Sequence, residues 1–511
     1  MTLNTTLVLI ILGMLAVVAY LWWHRDNANN APLPPGPPSL PLVGNLFNMP
    51  SNNSTWVAFG TLAEKYGDVM HFKVMSQHII IVSSLEAATE LFEKRGIIYS
   101  DRFLSVTMGK LMEMGWAFSM ISYNDEWRRK RKVFHQYLGS NVAQEYGAQE
   151  AEHVTEYLRR LRDTPEKFFD HSRFVFAAIL MDVIYGLKIA DANNKHVAAA
   201  EAWDEGFNQA IEPGRFWVDF LPFLQYIPEW FPGAHFKRLF AEWKRHMYKS
   251  RDGPFDEAKE AYTTGSAIPC AVTRVLEYVP EYEGSVEYDH ETTARDSFGV
   301  SFGAGVDTSA PTMHFFFYLM LMYPEIQKQA QEELRKIVGP DRLPTLEDRE
   351  RLPFTESIMK ETLRLHPATP LALPHYTKTD DIYNGFFIPK NSVVIGNAWK
   401  ILHDPALYPN PHAFNPKRYL NTDGTINPDV PDPTIACFGF GRRICPGRFI
   451  SMDSMFLAMA GTLHTFDITP ALGPDGKPLQ VELRLAAGVI CHPEHFPCNI
   501  KIRPGAEALL E

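Results

Sequence analysis

Cysteine is scarce in this sequence: Cys270, Cys437, Cys445, Cys491 and Cys498 are the only five in 511 residues. An odd number without framework spacing excludes a disulfide scaffold, favours a reducing compartment, and leaves room for one functional thiolate. Positive charge is also in deficit. Lys and Arg total 49 against 60 Asp and Glu, and the net charge of -11 sets nucleic acid aside as a partner. Internal repeats and low-complexity tracts are lacking, and a composition of 46% hydrophobic and 21% charged residues excludes disordered and collagen-like classes. Long apolar runs are missing everywhere except at the start.

That run extends from Leu7 to Trp23, all apolar or Gly; counted from Leu3, the uncharged stretch would span about 31 Å as a helix, close to the hydrocarbon thickness of a bilayer. No Lys or Arg precedes Arg25, so the basic flank of a cleavable signal is missing and residues 1–24 read as a single-pass transmembrane anchor. Trp22 and Trp23 suit the interfacial belt, and His24 with Arg25 give the exit a cytoplasmic sign. Residues 25–40 read as a proline-rich hinge. Within it, Pro32-Leu33-Pro34-Pro35-Gly36-Pro37-Pro38 cannot continue a helix, because proline lacks the N–H donor, and is expected to form a semi-rigid extended spacer. Residues 41–511 contain no linker that divides them and read as one catalytic body held beside the membrane.

Strand signals in that body are few. Val69 to Val82 alternates about a Ser76-Gln77 turn and reads as a hairpin. Helical patterning dominates elsewhere: Ile326, Ala330, Leu334 and Ile337 share a face, with Pro324 at the first turn and Gly339 just past the end. The expected fold is mainly α with a small β subdomain. The polar stretch from Lys249 to Asp296 is expected to be a long surface connection.

One segment concentrates chemistry. Phe438-Gly439-Phe440-Gly441-Arg442-Arg443-Ile444-Cys445-Pro446-Gly447 sets a cysteine in a glycine-rich turn before an apolar helical stretch. Backbone N–H groups, Arg443 and the oncoming helix N-terminus are expected to favour a thiolate there, and a thiolate so held can ligate haem iron. Taken alone, a buried cysteine at a tight turn would be the ordinary reading. Dinucleotide binding lacks support, because Gly439-Phe440-Gly441 and Gly303-Ala304-Gly305 have neither the third glycine nor a preceding strand. Near the end, Cys491-His492-Pro493-Glu494-His495-Phe496-Pro497-Cys498 clusters four zinc-type ligands, but its two prolines oppose tetrahedral convergence and a terminal hairpin is the preferred reading.

On these residues the sequence resembles the cytochrome P450 superfamily, and the likeness extends over nearly the whole chain. Glu361-Thr362-Leu363-Arg364 is similar to the family's Glu-x-x-Arg helix, and Phe414-Asn415-Pro416-Lys417-Arg418-Tyr419 to the motif whose arginine completes that ion network. The resemblance implies a cytochrome P450 fold with an N-terminal transmembrane helix, and haem b bound through the Cys445 thiolate. Phe438 and Gly447 are implied to face the cofactor. Trp127, Arg131, His375 and Arg443 would supply its propionate contacts, and Glu361, Arg364 and Arg418 a buried scaffold network. Ser301-Phe302-Gly303-Ala304-Gly305-Val306-Asp307-Thr308-Ser309 is similar to the oxygen-binding groove of the family's central helix, where Asp307 and Thr308 would relay protons as the catalytic pair. Pro311 departs from a regular helix and is expected to kink it, by removing the bond to the Asp307 carbonyl.

The resemblance further implies O2, a lipophilic small-molecule substrate, and NADPH used indirectly through a separate reductase, with the body cytoplasmic at the endoplasmic reticulum membrane. The basic run Arg128-Arg129-Lys130-Arg131-Lys132 is a candidate docking surface for that acidic donor. Candidate pocket segments are Phe103 to Met120, with Met108, Met112, Met114, Trp116, Phe118 and Met120, and the aromatic loop from Phe216 to Phe231. The run from Pro213 to Gly233 is similar to a basidiomycete group of secondary-metabolism monooxygenases, tryptamine 4-hydroxylase-like and mycotoxin oxidoreductase-like members among them. A terpenoid, polyketide or indole-derived substrate all remain open. Two other functions stand beside this one: an oxygen-independent haem-thiolate isomerase or dehydratase, opposed by the intact Asp307 and Thr308, and a non-catalytic haem-binding protein.

Overall fold

The computed structural model describes residues 31–50, 54–191, 193–211, 215–277, 289–486 and 488–511, together with Gly13. The proposed anchor, Gly13 apart, therefore lies outside the described residues, and among those described no helix is long and apolar enough to cross a membrane.

Alternating burial makes the strands. β1 (Val69–Val74) and β2 (Gln77–Val82) pair antiparallel, with Val69 opposite Val82 and Val74 opposite Gln77. The turn falls one residue earlier than the sequence suggested, because Met75 takes the left-handed conformation (φ 55) and Gln77 already belongs to the second strand. β3 (His375–Tyr376), β4 (Asp381–Tyr383), β5 (Phe386–Ile388) and β6 (Val393–Gly396) follow, and the main sheet runs β1-β2-β6-β3. The proline stretch is no free spacer. A segment without N–H groups can still accept hydrogen bonds, and Pro35 O takes the His71 N–H at 2.9 Å while Pro32 O takes that of Phe387 at 2.7 Å. It is stitched to the β subdomain.

Eight helices position the site: α1 (Asp125–Leu138), α2 (Phe168–Tyr185), α3 (Lys195–Ile211), α4 (His235–Thr263), α5 (His290–Met322), α6 (Pro324–Ile337), α7 (Pro353–Leu365) and α8 (Arg448–Thr465). α6 has the predicted ends. α1 starts at Asn124, whose side chain accepts the Trp127 N–H at 2.9 Å, and α5 at Asp289, which accepts that of Thr292 at 3.1 Å. α5 is apolar on several sides, as a helix packed between α1, α2, α3, α4 and α8 must be. It runs unbroken through Pro311, which overturns the expected kink. One lost backbone bond is outweighed by packing along a buried helix, where Phe302, Val306, Ala310, Met313 and Phe317 are at most 5% exposed. The stretch from Lys249 is likewise helical to Thr263, with Pro254 inside α4, so the expected surface connection is shorter than its polar composition suggested. Polarity there marks the outer face of an amphipathic helix.

β7 (Phe466–Pro470) and β8 (Cys498–Ile502) close the chain as an antiparallel pair. This agrees with a terminal hairpin and pulls the four zinc-type side chains apart. Cys491 packs with Trp56 and Phe315, His495 lies against Phe169, and Cys498 pairs with Pro470.

Candidate active site

Cys445 sits where α8 meets the glycine-rich turn. Its N–H donates to Phe438 O at 2.8 Å, and Arg448 donates to its carbonyl at 3.0 Å. The turn requires glycine at 441: φ is +53, and a Cβ there would lie 2.1 Å from the Phe92 carbonyl oxygen. This close approach stacks Phe440 on Phe92 at 5.1 Å and fixes the loop beneath the cavity.

The cavity has a volume of about 250 Å³ and is lined by Cys445, Phe438 and Gly447, by Trp127 and Arg131 of α1, by His375 and Arg443, and by Ala304, Gly305 and Thr308 of α5. Eight sequence-predicted site residues therefore converge on one space. Asp307 does not line it. Successive helical residues are ~100° apart, and the turn that aims Thr308 into the cavity aims Asp307 into a polar cluster. There it accepts hydrogen bonds from Arg173 Nη1 at 3.2 Å and Asn208 Nδ2 at 3.0 Å, with His492 Nε2 3.5 Å away. Burial would raise its carboxyl, but His492, Arg173 and Asn208 together hold it down at about 2. Thr308 donates its hydroxyl to Ala304 O at 2.9 Å. The expected relay pair is thus divided between two environments.

Three guanidinium groups mark one end of the cavity. Arg443 donates to Ser100 O, Phe118 O and Ile121 O at 2.7–3.0 Å. Arg131 donates to Ile444 O at 2.6 Å, and Arg102 to Leu373 O and Pro374 O at 2.7 Å each. Among the described residues none of the three has a carboxylate within salt-bridge distance, although Arg102 and Arg443 are each only 8% exposed. Burial pulls all three below the arginine range, to about 9 for Arg102, about 10 for Arg131 and about 8 for Arg443. Uncompensated buried cations are costly, and a haem, with two carboxylates on one edge, supplies the missing charge. The donor set fits the cofactor.

Sequence reasoning missed Arg102, whose one signal was an isolated cation ahead of the Met-rich stretch. It takes the cationic role expected of His375. The His375 ring gives its Nδ1–H to Tyr99 O at 2.7 Å, and burial, with Arg102 and Arg443 nearby, holds it well below the usual imidazole range. His375 is a neutral wall. The thiolate expectation also changes: burial raises the Cys445 thiol, against the Gly447 N–H, Arg131 and Arg448, which lower it. Arg443 instead faces the carbonyl cluster and the Trp127 ring, 4.8 Å from its centroid.

Two predicted surfaces move inward or apart. Lys130 is buried in ion pairs with Asp296 at 3.0 Å and Glu126 at 2.7 Å, and Arg131 faces the cavity, so Arg128, Arg129 and Lys132 are the exposed members of the basic run. Met108, Met112, Met114 and Met120 pack as core with Trp203, Phe240 and Trp243, and of the two proposed pocket segments only Phe118 and Ser119 reach the cavity. The aromatic loop faces outward, with Trp217 61% and Trp230 81% exposed. A Met-rich stripe was core because α3 and α4 needed a filler of irregular shape.

The scaffold network forms as predicted. Glu361 accepts from Arg364 at 2.8 and 2.9 Å and from Arg418 Nε at 3.1 Å to each oxygen, while Asn415 N–H adds a bond at 2.9 Å. Glu361 and Arg364 are fully buried.

The whole chain is similar to known proteins. The family model described as Cytochrome P450 matches residues 34–496. The chain is 38% identical to a cytochrome P450 monooxygenase, COX1, of Coprinopsis cinerea, covering 99% of both chains. It is 38% identical to cytochrome P450 monooxygenase claR of Ampulloclitocybe clavipes, over 94% of this chain and 88% of the other. With tryptamine 4-monooxygenase of Psilocybe cyanescens the identity is 35%, over 96% of this chain and 97% of the relative. A cysteine lining one cavity with arginines that have no carboxylate partner among the described residues, a buried Glu-Arg-Arg network, and likeness to these enzymes over nearly the whole length leave one assignment: the chain belongs to the cytochrome P450 family.

Proposed function

We propose that the chain hydroxylates a lipophilic small molecule in fungal secondary metabolism, inserting one atom of O2 into a C–H bond with electrons from a separate NADPH-dependent reductase. The observation that carries this reading is one cavity lined by Cys445, Thr308 and Ala304 together with Arg102, Arg131 and Arg443, which have no carboxylate partner among the described residues. Haem b, when bound, supplies oxygen activation at its iron. Cys445 would ligate that iron, and the three arginines would neutralise the propionates. Apolar walls, among them Phe134, Leu180, Val300 and Leu373, exclude water from the reacting bond and favour an uncharged substrate. Thr308 presents the hydroxyl that moves a proton at the cavity wall, and Ala304 and Gly305 leave room beside it. Shape, not a charged anchor, selects the substrate, which suits a terpenoid, polyketide or indole skeleton. Residues 1–24 would tether the body to the endoplasmic reticulum membrane, facing the cytosol.

The test uses membranes carrying the full chain with a reductase and NADPH, fed a lipophilic extract. Products heavier by one oxygen, labelled from 18O2 gas, are expected. A reduced, CO-treated preparation should show the red-displaced Soret band of thiolate ligation. Haem-loaded protein that displays that band but converts nothing, or products without 18O, would overturn the reading in favour of a carrier or an isomerase.

A further inference from the structure

A second cavity, of about 360 Å³, lies against the segment that follows α7. Rings form much of its wall. His366 stacks on Phe315 with centroids 4.1 Å and planes 4° apart, and His403 stacks on Trp399 at 4.3 Å and 23°. Flat walls of this kind suit a flat aromatic guest. Polar groups are few and specific. His403, 4% exposed, donates its Nδ1–H to Trp399 O at 2.8 Å, so Nε2 keeps its lone pair, and no donor among the described residues reaches it. Burial holds both imidazoles at about 3, which leaves them neutral near pH 7. Among the described residues no Asp, Glu, Lys or Arg lines the cavity, and no three His, Cys, Asp or Glu side chains converge as a metal site. A charged ligand finds no counter-ion there.

The two cavities share a wall. Pro367 and Pro370 line the second, while Ala368, Thr369, Ala372 and Leu373 line the first. Residues of both cavities hold this segment by its carbonyls. From the second, the Cys491 N–H donates to Ala368 O at 2.8 Å and the Trp399 N–H to Pro370 O at 3.0 Å; from the first, Arg102 donates to Leu373 O and Pro374 O. Ala372 takes the left-handed conformation (φ 50), which a residue with a Cβ adopts only when its surroundings impose it.

We propose that the second cavity is an effector site for a flat, uncharged aromatic molecule bearing an N–H or O–H, such as an indole or a phenol, whose binding displaces the shared wall and changes the affinity of the first cavity for its own ligand. The aromatic ring packs against the stacked walls, and its N–H or O–H donates to His403 Nε2. Pro367 and Pro370 fix two φ angles of the wall, so a displacement on one side is passed along the segment to Thr369 and Ala372 rather than absorbed locally. The coupling is reciprocal: whatever factor the effector imposes on the first ligand, that ligand imposes on the effector.

The experiment uses full-length, haem-loaded protein saturated with clotrimazole, an azole that ligates haem iron and so occupies the first cavity. Binding of indole, and of indene, which has the same shape without the N–H, is followed by equilibrium dialysis in wild type, His403→Phe and Met322→Trp. His403→Phe keeps a stacked ring and removes the acceptor, and Trp399 O still accepts the backbone N–H of residue 403 at 2.9 Å. Met322 lines the cavity and is 46% exposed, so a tryptophan there obstructs the cavity without a change in the core. Indole should bind about tenfold more weakly to His403→Phe, the effect of leaving one donor unpaired, whereas indene should bind both proteins alike. Met322→Trp should weaken both ligands. In the reverse direction, indole should change the affinity for clotrimazole, read from the Soret shift, by about fivefold or more in wild type and not in Met322→Trp. Indole that binds all three proteins equally, or that binds wild type without altering its affinity for the azole, would overturn the proposal. Both readouts are binding measurements, so the monooxygenase reading stands or falls separately on oxygen incorporation.

Discussion

The buried Glu361-Arg364-Arg418 network yields the sharpest stability prediction. Two guanidiniums share one carboxylate, so the cluster carries a net charge of about +1, offset by carbonyl dipoles: Leu402 O at 2.9 Å from Arg364, and Pro409 O at 2.7 Å from Arg418. Glu361→Gln removes the only negative charge, raises the buried charge to about +2, and can place an amide N–H against a guanidinium N–H. Stranding one partner of a buried pair costs about 3–5 kcal/mol, and the fully buried Arg364 places this substitution at the upper end. That loss lowers the folded-to-unfolded ratio by ~10²–10³-fold or more. Arg418→Gln acts in the opposite sense. It leaves Glu361 with the two bonds from Arg364 and the Asn415 N–H, brings the cluster to neutrality, and should cost only about 1–3 kcal/mol. Urea unfolding of haem-loaded protein, followed by tryptophan fluorescence and by the CO-bound Soret band, measures both. A loss under about 1 kcal/mol for Glu361→Gln, or a larger loss for Arg418→Gln, would refute the charge argument.

Arg102→Met should speed haem transfer to an apo-globin acceptor by about tenfold or more, since a charge-assisted hydrogen bond contributes ~1.5–3 kcal/mol; unchanged transfer would remove Arg102 from the cofactor site. Gly441→Ala forces a left-handed alanine with its Cβ 2.1 Å from Phe92 O, so the Cys445 turn must shift and the CO-bound Soret band should fall or move. Acid should unfold the chain early. Burial holds His314 and His403, 3% and 4% exposed, at about 3. Their unfolded values lie near ~6.5, so the unfolded chain takes up protons first; the stability conferred by the neutral rings is complete above ~6.5 and declines as pH falls toward 3, by up to ~2.7 kcal/mol per pH unit for the pair. Urea midpoints at pH 7, 6, 5 and 4 measure this slope, and His403→Gln should reduce it by up to ~1.4 kcal/mol per pH unit, the share of one group.

Local sequence was sufficient wherever function depends on neighbours within a few residues. The Cys445 turn needs its glycines in cis, Glu361 and Arg364 lie on one helix face at i and i+3, and α6 carries its own start and stop signals. Composition alone also excluded a disulfide scaffold. What the sequence left undecided was direction. Asp307 and Thr308 are adjacent, and only the packing of α2, α3 and the loop before β8 around α5 determines that one faces Arg173, Asn208 and His492 while the other faces the cavity. Arg102 acquires meaning through carbonyls 271 and 272 positions away, the proline run through N–H donors on the strands, and the methionine stripe through tryptophans of α3 and α4. A side chain's identity fixes what it can bond; burial and partners brought from far along the chain fix what it does bond, and those are properties of the folded molecule.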